Sequence, residues 1–315
     1  MAGTVEMSGG AAKRLSFAPR IFTCYITSRL MPLTEQIDYR TEAAPLPGPF
    51  GRFYLQELIN RGGMAEIWLA TDPQNKPFAL RRMMKTGRFD FASKKRFLRG
   101  CEILSRIHNH TLVIGYHEHG KIEGAPYLLM DYVEGENLKM LEALADDSLS
   151  DHVGNILIDM ATALEHVHDS GFMHLDFKPE NVMVSRNVNV RLIDFDLALP
   201  IPKGNVKLTK MPGTPSYMAP EQLRKLPIDH RVDIFSFGVT AYELLTGSKP
   251  FPGETPEEVL RQQMDMHFMA PPRQLNPEIP LALERTILKC LERDPNKRHP
   301  IMSTLVLELQ GALYV

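Results

Sequence analysis

The chain has 315 residues, enough for one large domain or two small ones around a sizeable core. Hydrophobic residues make up 43% and charged residues 23%, which excludes a chain disordered throughout. Its 36 Lys plus Arg against 38 Asp plus Glu leave a net charge of -2, with no global pull on nucleic acid or anionic lipid.

Residues 1–48 show no sustained helix or strand period and end in Ala44-Pro-Leu-Pro-Gly-Pro49, so they are expected to form a disordered or extended arm. The apolar run at 21–30 is short and broken by Thr23, Thr27, Ser28 and Arg29. No small-residue cleavage site follows it promptly, so neither a membrane span nor a signal peptide is expected, and Met31 is an alternative start of the patterned chain. Three widely spaced cysteines, Cys24, Cys101 and Cys290, form neither a disulfide framework nor a zinc site, which suggests a reducing, cytoplasmic setting.

From residue 50 to 133 short runs at 52–58, 66–71, 77–83 and 127–133 read as strands. One helix at 93–107 interrupts them, with Phe97, Cys101, Leu104 and Ile107 on one face. From 134 to 315 the pattern is helical. Val153, Ile156, Leu157, Met160, Leu164 and Val167 make a stripe, with Asp151 as candidate N-cap and Gly171 as stop. The segment 231–246 is apolar nearly all round and should be a buried central helix. Thr255-Pro-Glu-Glu258 is a capping box, and 283–292 is a further amphipathic helix. A strand-rich part followed by a helical part implies an α+β fold of two lobes with a cleft between them. The chain ends soon after its last helix, so no sensor or membrane domain is expected on it.

Polar residues cluster in His174-Leu-Asp-Phe-Lys-Pro-Glu-Asn181 and Leu192-Ile-Asp-Phe-Asp196. Further on come Gly213-Thr-Pro-Ser-Tyr-Met-Ala-Pro-Glu-Gln222, Asp233-Ile-Phe-Ser-Phe-Gly238 and Arg298. In this order these segments resemble the protein kinases, and Gly62-Gly-Met-Ala-Glu66 with Pro220-Glu-Gln222 resembles the bacterial serine/threonine branch. The resemblance implies a two-lobed protein-kinase-like fold, with an N-lobe at 50–133 and a C-lobe at 134–315. It also implies ATP and magnesium as cofactors, and a protein substrate offering a Ser or Thr hydroxyl. Asp176 matches the catalytic base, Lys178 the group that steadies the transferring phosphate, Asn181 and Asp194 the metal ligands, and Thr214 the buttress of Asp176 and Lys178. The nucleotide would meet Ile59, Gly62, Gly63 and Ile67 of the glycine-rich loop, Ala79 and Arg81 of the third strand, and the backbone of Asp131 and Val133, with Met130 as gatekeeper. His174 and Phe195 match packing residues. Asp233 matches an acceptor of catalytic-loop backbone bonds, and Glu221 with Arg298 a buried ion pair.

Several positions depart from the family. Asn60 and Ala65 stand where the outer loop glycines would be, which narrows backbone freedom beside a phosphate. Arg81 stands for the strand lysine, and its planar guanidinium is not a free substitute for a point charge. Gly100 stands for the helix glutamate that pairs with that lysine, and Glu102 lies on another face. Arg81 is therefore expected to take another carboxylate, Asp196 or Asp194, with Asp196, in the place of the family's glycine, preferred. Leu175 stands for an arginine that receives an activation-loop phosphate. No requirement for loop phosphorylation is expected, and Lys203, Lys207 and Lys210 read as a solvated basic loop. Two activities fit: a working serine/threonine kinase with an altered nucleotide clamp, which the catalytic-loop set favours, and a pseudokinase that binds nucleotide or acts as a scaffold without turnover. A kinase-fold enzyme for small molecules is disfavoured by the peptide-binding segment at 213–221.

Overall fold

A computed structural model describes residues 46–84, 91–144, 147–202, 204, 213–265 and 267–314. Residues 1–45 of the expected arm, Cys24, Lys203, Lys207 and Lys210 lie outside them.

The N-terminal part is a sheet of β1 (Gly48–Phe50), β2 (Phe53–Arg61), β3 (Ala65–Thr71), β4 (Pro77–Met83), β5 (Tyr116–Ile122) and β6 (Ala125–Asp131), with α1 (Phe91–Ile107) packed on one face. The strands run antiparallel in the order β1-β2-β3-β4-β6-β5. Two differences from the sequence reading have physical causes. Gly48 and Pro49 belong to β1 rather than to the arm; β1 is an edge strand, where proline's missing N–H is tolerated. The polar strand β5 (Tyr-His-Glu-His-Gly-Lys-Ile) has no buried residue, so it shows none of the apolar alternation by which a strand is read.

Each sheet face has its own core. One buries Phe50, Phe53, Leu55, Trp68, Phe78, Leu80 and Leu129. The other joins Ala65, Ala79 and Met83 to Phe97, Cys101, Leu104 and Ile107 of α1, and runs on into the helical part through Leu175, Phe177 and Phe195.

After β7 (Gly135–Asn137) come α2 (Leu138–Leu144) and α3 (Asp147–Asp169). Asp151 is thus inside α3 and not its N-cap; a carboxylate in the first turns still complements the helix dipole. Gly171, at φ +85°, ends the run as expected. β8 (Phe172–Met173) pairs with β11 (Leu199–Pro200), and β9 (Val182–Ser185) lies between β7 and β10 (Val190–Leu192). These short ladders hold the two polar loops at 174–181 and 193–198. α4 (Pro220–Leu223), α5 (Arg231–Thr246), α6 (Pro256–Met264), α7 (Pro272–Leu275), α8 (Leu281–Cys290) and α9 (Met302–Leu313) complete the fold. α5 is buried nearly all round, as its composition predicts. Thr255 caps α6, its hydroxyl accepting from the Glu258 N–H at 3.2 Å.

Candidate active site

The loop that follows β8 is tied to α5. The backbone N–H groups of His174 and Leu175 donate to Asp233 at 2.8 Å each, and His168 Nε2 donates to the same carboxylate at 2.9 Å. Asp233 is fully buried; burial pushes its carboxyl up, but the bond and charge of His168, with the backbone donors, outweigh this and hold it below the usual carboxylate range. The His174 ring packs edge-on to Phe195 with centroids 5.0 Å apart. Leu175 takes φ +64°, a left-handed conformation uncommon for a bulky residue, and its side chain is buried.

The anchored loop brings four polar groups together. Lys178 Nζ lies 3.1 Å from Asp176 Oδ2 and donates to Thr214 Oγ1 at 3.0 Å. Asn181 Nδ2 donates to the Asp176 carbonyl at 2.8 Å and to Asp176 Oδ2 at 3.1 Å. Asp176 is thereby fixed on both sides, and the Asn181 amide oxygen is the atom left for another ligand.

The second cluster lies opposite. Arg81, on the inner face of β4, makes a forked pair with Asp196: Nη1 to Oδ1 at 2.9 Å and Nη2 to Oδ2 at 2.8 Å. Nη1 also reaches Asp194 Oδ1 at 3.3 Å. The guanidinium stacks on Phe97 of α1, 5.3 Å from the ring centroid. Burial disfavours its charge, but the two carboxylates outweigh that and raise its pKa further. Burial also opposes ionisation of both carboxyls. Asp194 is nonetheless held below its usual range by Arg81, the Asp196 N–H, His174 and Lys178, whereas Asp196, buried beside a second carboxylate, is pushed up. Asp194 sits at φ +59°. Gly100 of α1 faces this group: a Cβ there would lie 2.7 Å from Asp196 Oδ1 and 3.0 Å from its Cα and N. Arg99, beside it, donates from Nη2 to the Asp196 carbonyl at 3.0 Å.

Both clusters border one cleft of about 400 Å³ between the sheet and the helical part. Among the residues expected at the site, Gly62, Gly63, Ile67, Arg81, Lys178, Asn181 and Asp194 line it. Asp176 and Thr214 stand behind Lys178. Ala79 is buried in the core that backs the cleft, and Val133 packs against that core. Ile59 is about half exposed at a bulge of β2, and its neighbour Asn60 lines the cleft instead. Asp131 ends β6; its N–H donates to the Gly115 carbonyl at 2.9 Å and its carboxylate pairs with His117 Nε2 at 2.7 Å. Met130 reaches the cleft from the same strand.

The donors suit magnesium. Asp194 keeps about a third of its side chain open, and the Asn181 amide, oriented by Asp176, opens onto the same space. Two hard oxygen donors with the remaining positions left to phosphate and water is how that ion is commonly held. A second hollow of about 650 Å³, beside His152, Asn155, Asp159 and Tyr314, contains none of these groups.

Two features went unread in the sequence. Arg99 is one; it bonds to a main-chain carbonyl, which no sequence pattern marks. The other underlies the 213–222 segment: the Tyr217 hydroxyl donates to Glu243 Oε2 at 2.6 Å, and Lys139 bridges Glu243 at 2.6 Å and Glu142 at 3.3 Å. The partners of this chain of bonds come from α2, α5 and the segment itself, far apart in sequence.

Comparison with known proteins matches this geometry to a family. The description "Protein kinase domain" covers residues 53–308. A probable serine/threonine-protein kinase of Clostridium acetobutylicum is 32% identical over 82% of this chain and 40% of its own length. One of Streptomyces coelicolor is 31% identical over 84% of this chain and 40% of its own. The serine/threonine-protein kinase PrkC of Bacillus subtilis is 28% identical over 83% of this chain and 40% of its own. The chain thus spans about 40% of the length of these relatives. With the match running from β2 to α9 across both clusters and the cleft, the chain belongs to the protein kinase family.

Proposed function

We propose that this chain is a serine/threonine protein kinase that transfers the γ-phosphoryl group of ATP to a Ser or Thr hydroxyl of a protein. The observation that carries the reading is the bonded set Asp176, Lys178, Asn181 and Thr214, opening onto the cleft that Asp194 also lines. Phosphoryl transfer asks the protein for position and charge more than for covalent chemistry. Asp176 orients the substrate hydroxyl and accepts its proton as the new O–P bond forms and the bond to ADP breaks. Lys178, held by Thr214, steadies the negative charge on the transferred group. Arg81 faces the phosphates from β4. Asn181 and Asp194 would hold magnesium, which when bound neutralises phosphate charge. The segment at 213–222 is braced by Ser236 Oγ on the Tyr217 carbonyl at 2.8 Å and by Gln263 Nε2 on the Met218 carbonyl at 2.9 Å. A firm ledge beside the cleft suits a polypeptide substrate better than a small molecule. Buried free thiols at Cys101 and Cys290 support work in the cytoplasm; among the described residues no helix is long and apolar enough to cross a membrane.

One observation favours a second reading, a nucleotide-binding or scaffold module without turnover: Arg81 is already held by two carboxylates. The test is labelled phosphate transfer from ATP to the chain itself and to generic Ser/Thr peptides. Wild type should transfer, and Asp176→Asn should lose roughly 100-fold or more while ADP binding is kept. Equal transfer by the variant would overturn the kinase reading. ADP binding without transfer by the wild type would favour the second.

A further inference from the structure

We propose that Asp196, carried on the same segment as Asp194, is the positioning residue that aims Arg81 at the nucleotide phosphates, and that Gly100 and Arg99 of α1 exist in this arrangement to receive it. The inference rests on reading the cleft as a nucleotide site.

Three observations carry it. The Asp196 carboxylate fills the volume that any side chain at position 100 would occupy, since a Cβ there would meet Oδ1 at 2.7 Å. The carboxylate uses both oxygens on Arg81, which fixes the plane of the guanidinium as a single contact would not. The main chain of Asp196 is joined to α1 by Arg99 at 3.0 Å, and Arg81 itself stacks on Phe97 of that helix. Helix, strand and metal-binding segment therefore meet at one residue. Movement of the segment carries Asp194 and the partner of Arg81 together, so phosphate clamp and metal site assemble or come apart as a unit. Helix α1 takes part through the Arg99 side chain, which donates to the Asp196 carbonyl, and through the absent side chain of Gly100. A carboxylate grown from position 100 would reach the same volume once the side chain at 196 is removed and its backbone, 3.0 Å from such a Cβ, yields by a few tenths of an ångström, so the charge could then be supplied from the helix.

The test is a double-mutant cycle of Asp196→Gly and Gly100→Asp in the full chain, reading calorimetric binding of ADP with magnesium, binding of adenosine, and Tm without ligand. Asp196→Gly should weaken ADP by about tenfold and leave adenosine unchanged, because only the phosphate partner loses its aim. Gly100→Asp alone crowds two carboxylates and should lower both Tm and ADP affinity. Together the two should recover most of the lost ADP affinity, a coupling that independent sites do not show. Additive losses in the double variant, equal losses for ADP and adenosine, or an Asp196→Gly variant indistinguishable from wild type would each overturn the proposal. So would a wild type that binds no ADP. A wild type that binds ADP and shows the coupling but transfers no phosphate would support the clamp while the kinase reading fails.

Discussion

The two clusters that face the cleft are built on different principles. The loop at 174–181 is one short stretch of chain whose polar groups bond to each other and whose start hangs on a single buried carboxylate, Asp233. The clamp is assembled from three segments, with Arg81 on β4, Arg99 and Gly100 on α1, and Asp194 and Asp196 on the loop between β10 and β11. A local cluster keeps its geometry through the turn that makes it. A dispersed one keeps it only while several elements stay docked, and it can change at several positions at once without losing its net charge. That is the pattern here: the loop holds Asp176, Lys178 and Asn181 bonded within one short stretch, whereas the clamp carries its carboxylate at position 196 with none at position 100.

The largest expected effect breaks the anchor of the local cluster. Asp233→Ala would leave two buried N–H groups and His168 without their acceptor, at a cost of about 3–5 kcal/mol in urea unfolding. The anchor also predicts acid sensitivity. The Asp233 carboxyl is held below its ordinary 3.8 in the fold, so its contribution is complete above that value. It is lost as pH falls through the lower folded value, because the unfolded chain takes up the proton first. An acid-unfolding midpoint that Asp233→Asn leaves in place would show that other groups set it.

The dispersed cluster should respond less in stability and more in binding. Arg81→Lys keeps the charge but cannot grip both oxygens of Asp196 or stack flat on Phe97. A loss of about 1–3 kcal/mol in urea and weaker ADP binding are expected. Unchanged affinity with lowered stability would make the forked geometry a matter of folding alone.

This contrast also governs what the sequence discloses. The local cluster is legible because Asp176, Lys178 and Asn181 stand at short fixed spacings, and the proposed phosphoryl transfer needs those residue types. The pairing of Arg81 with Asp196 is legible one step removed, from an arginine and a glycine where a lysine and a glutamate are expected and a carboxylate added at 196. Arg99 is not legible, because every residue offers a carbonyl and the partner leaves no mark. Strand β5 is hidden by its polar edge, and the start of α3 by a second carboxylate that suits a first turn as well as a cap. The bond chain from Tyr217 to Lys139 is hidden by distance in sequence.

That bond chain sharpens the comparison, since it shifts a carboxyl in the opposite direction to Asp233. Burial and the neighbouring Glu243 carboxylate push Glu142 up to about 7, from an ordinary 4.5. Between those values the folded chain binds the proton more tightly than the unfolded one, so stability falls as pH rises from 4.5 to 7 and is level above. Glu142→Gln should remove that slope. At pH 8 the variant should be about 1–2 kcal/mol more stable than wild type, less than the full shift implies because Lys139 loses a partner, and near pH 4.5 the two should agree. Parallel stability curves would mean that Glu142 ionises freely.

The smallest effect bears on how the dispersed cluster is held together. Arg99→Ala removes one bond to the Asp196 carbonyl, which is worth about 1 kcal/mol or less. The loss is tempered because Arg99 Nε is buried without a partner, so truncation also relieves a desolvated donor. Stability should therefore hardly move. ADP affinity should fall by a few fold, because the segment bearing both Asp194 and Asp196 is no longer tied to α1. Arg99→Lys, whose ammonium can reach a carbonyl but lacks the fixed fork, should restore part of the loss. A fall in Tm with ADP binding intact would reduce Arg99 to a packing contact of the helix. A fall in ADP binding with Tm intact would show that α1 holds the clamp through one carbonyl, and that the dispersed site is rigid only while this helix is docked.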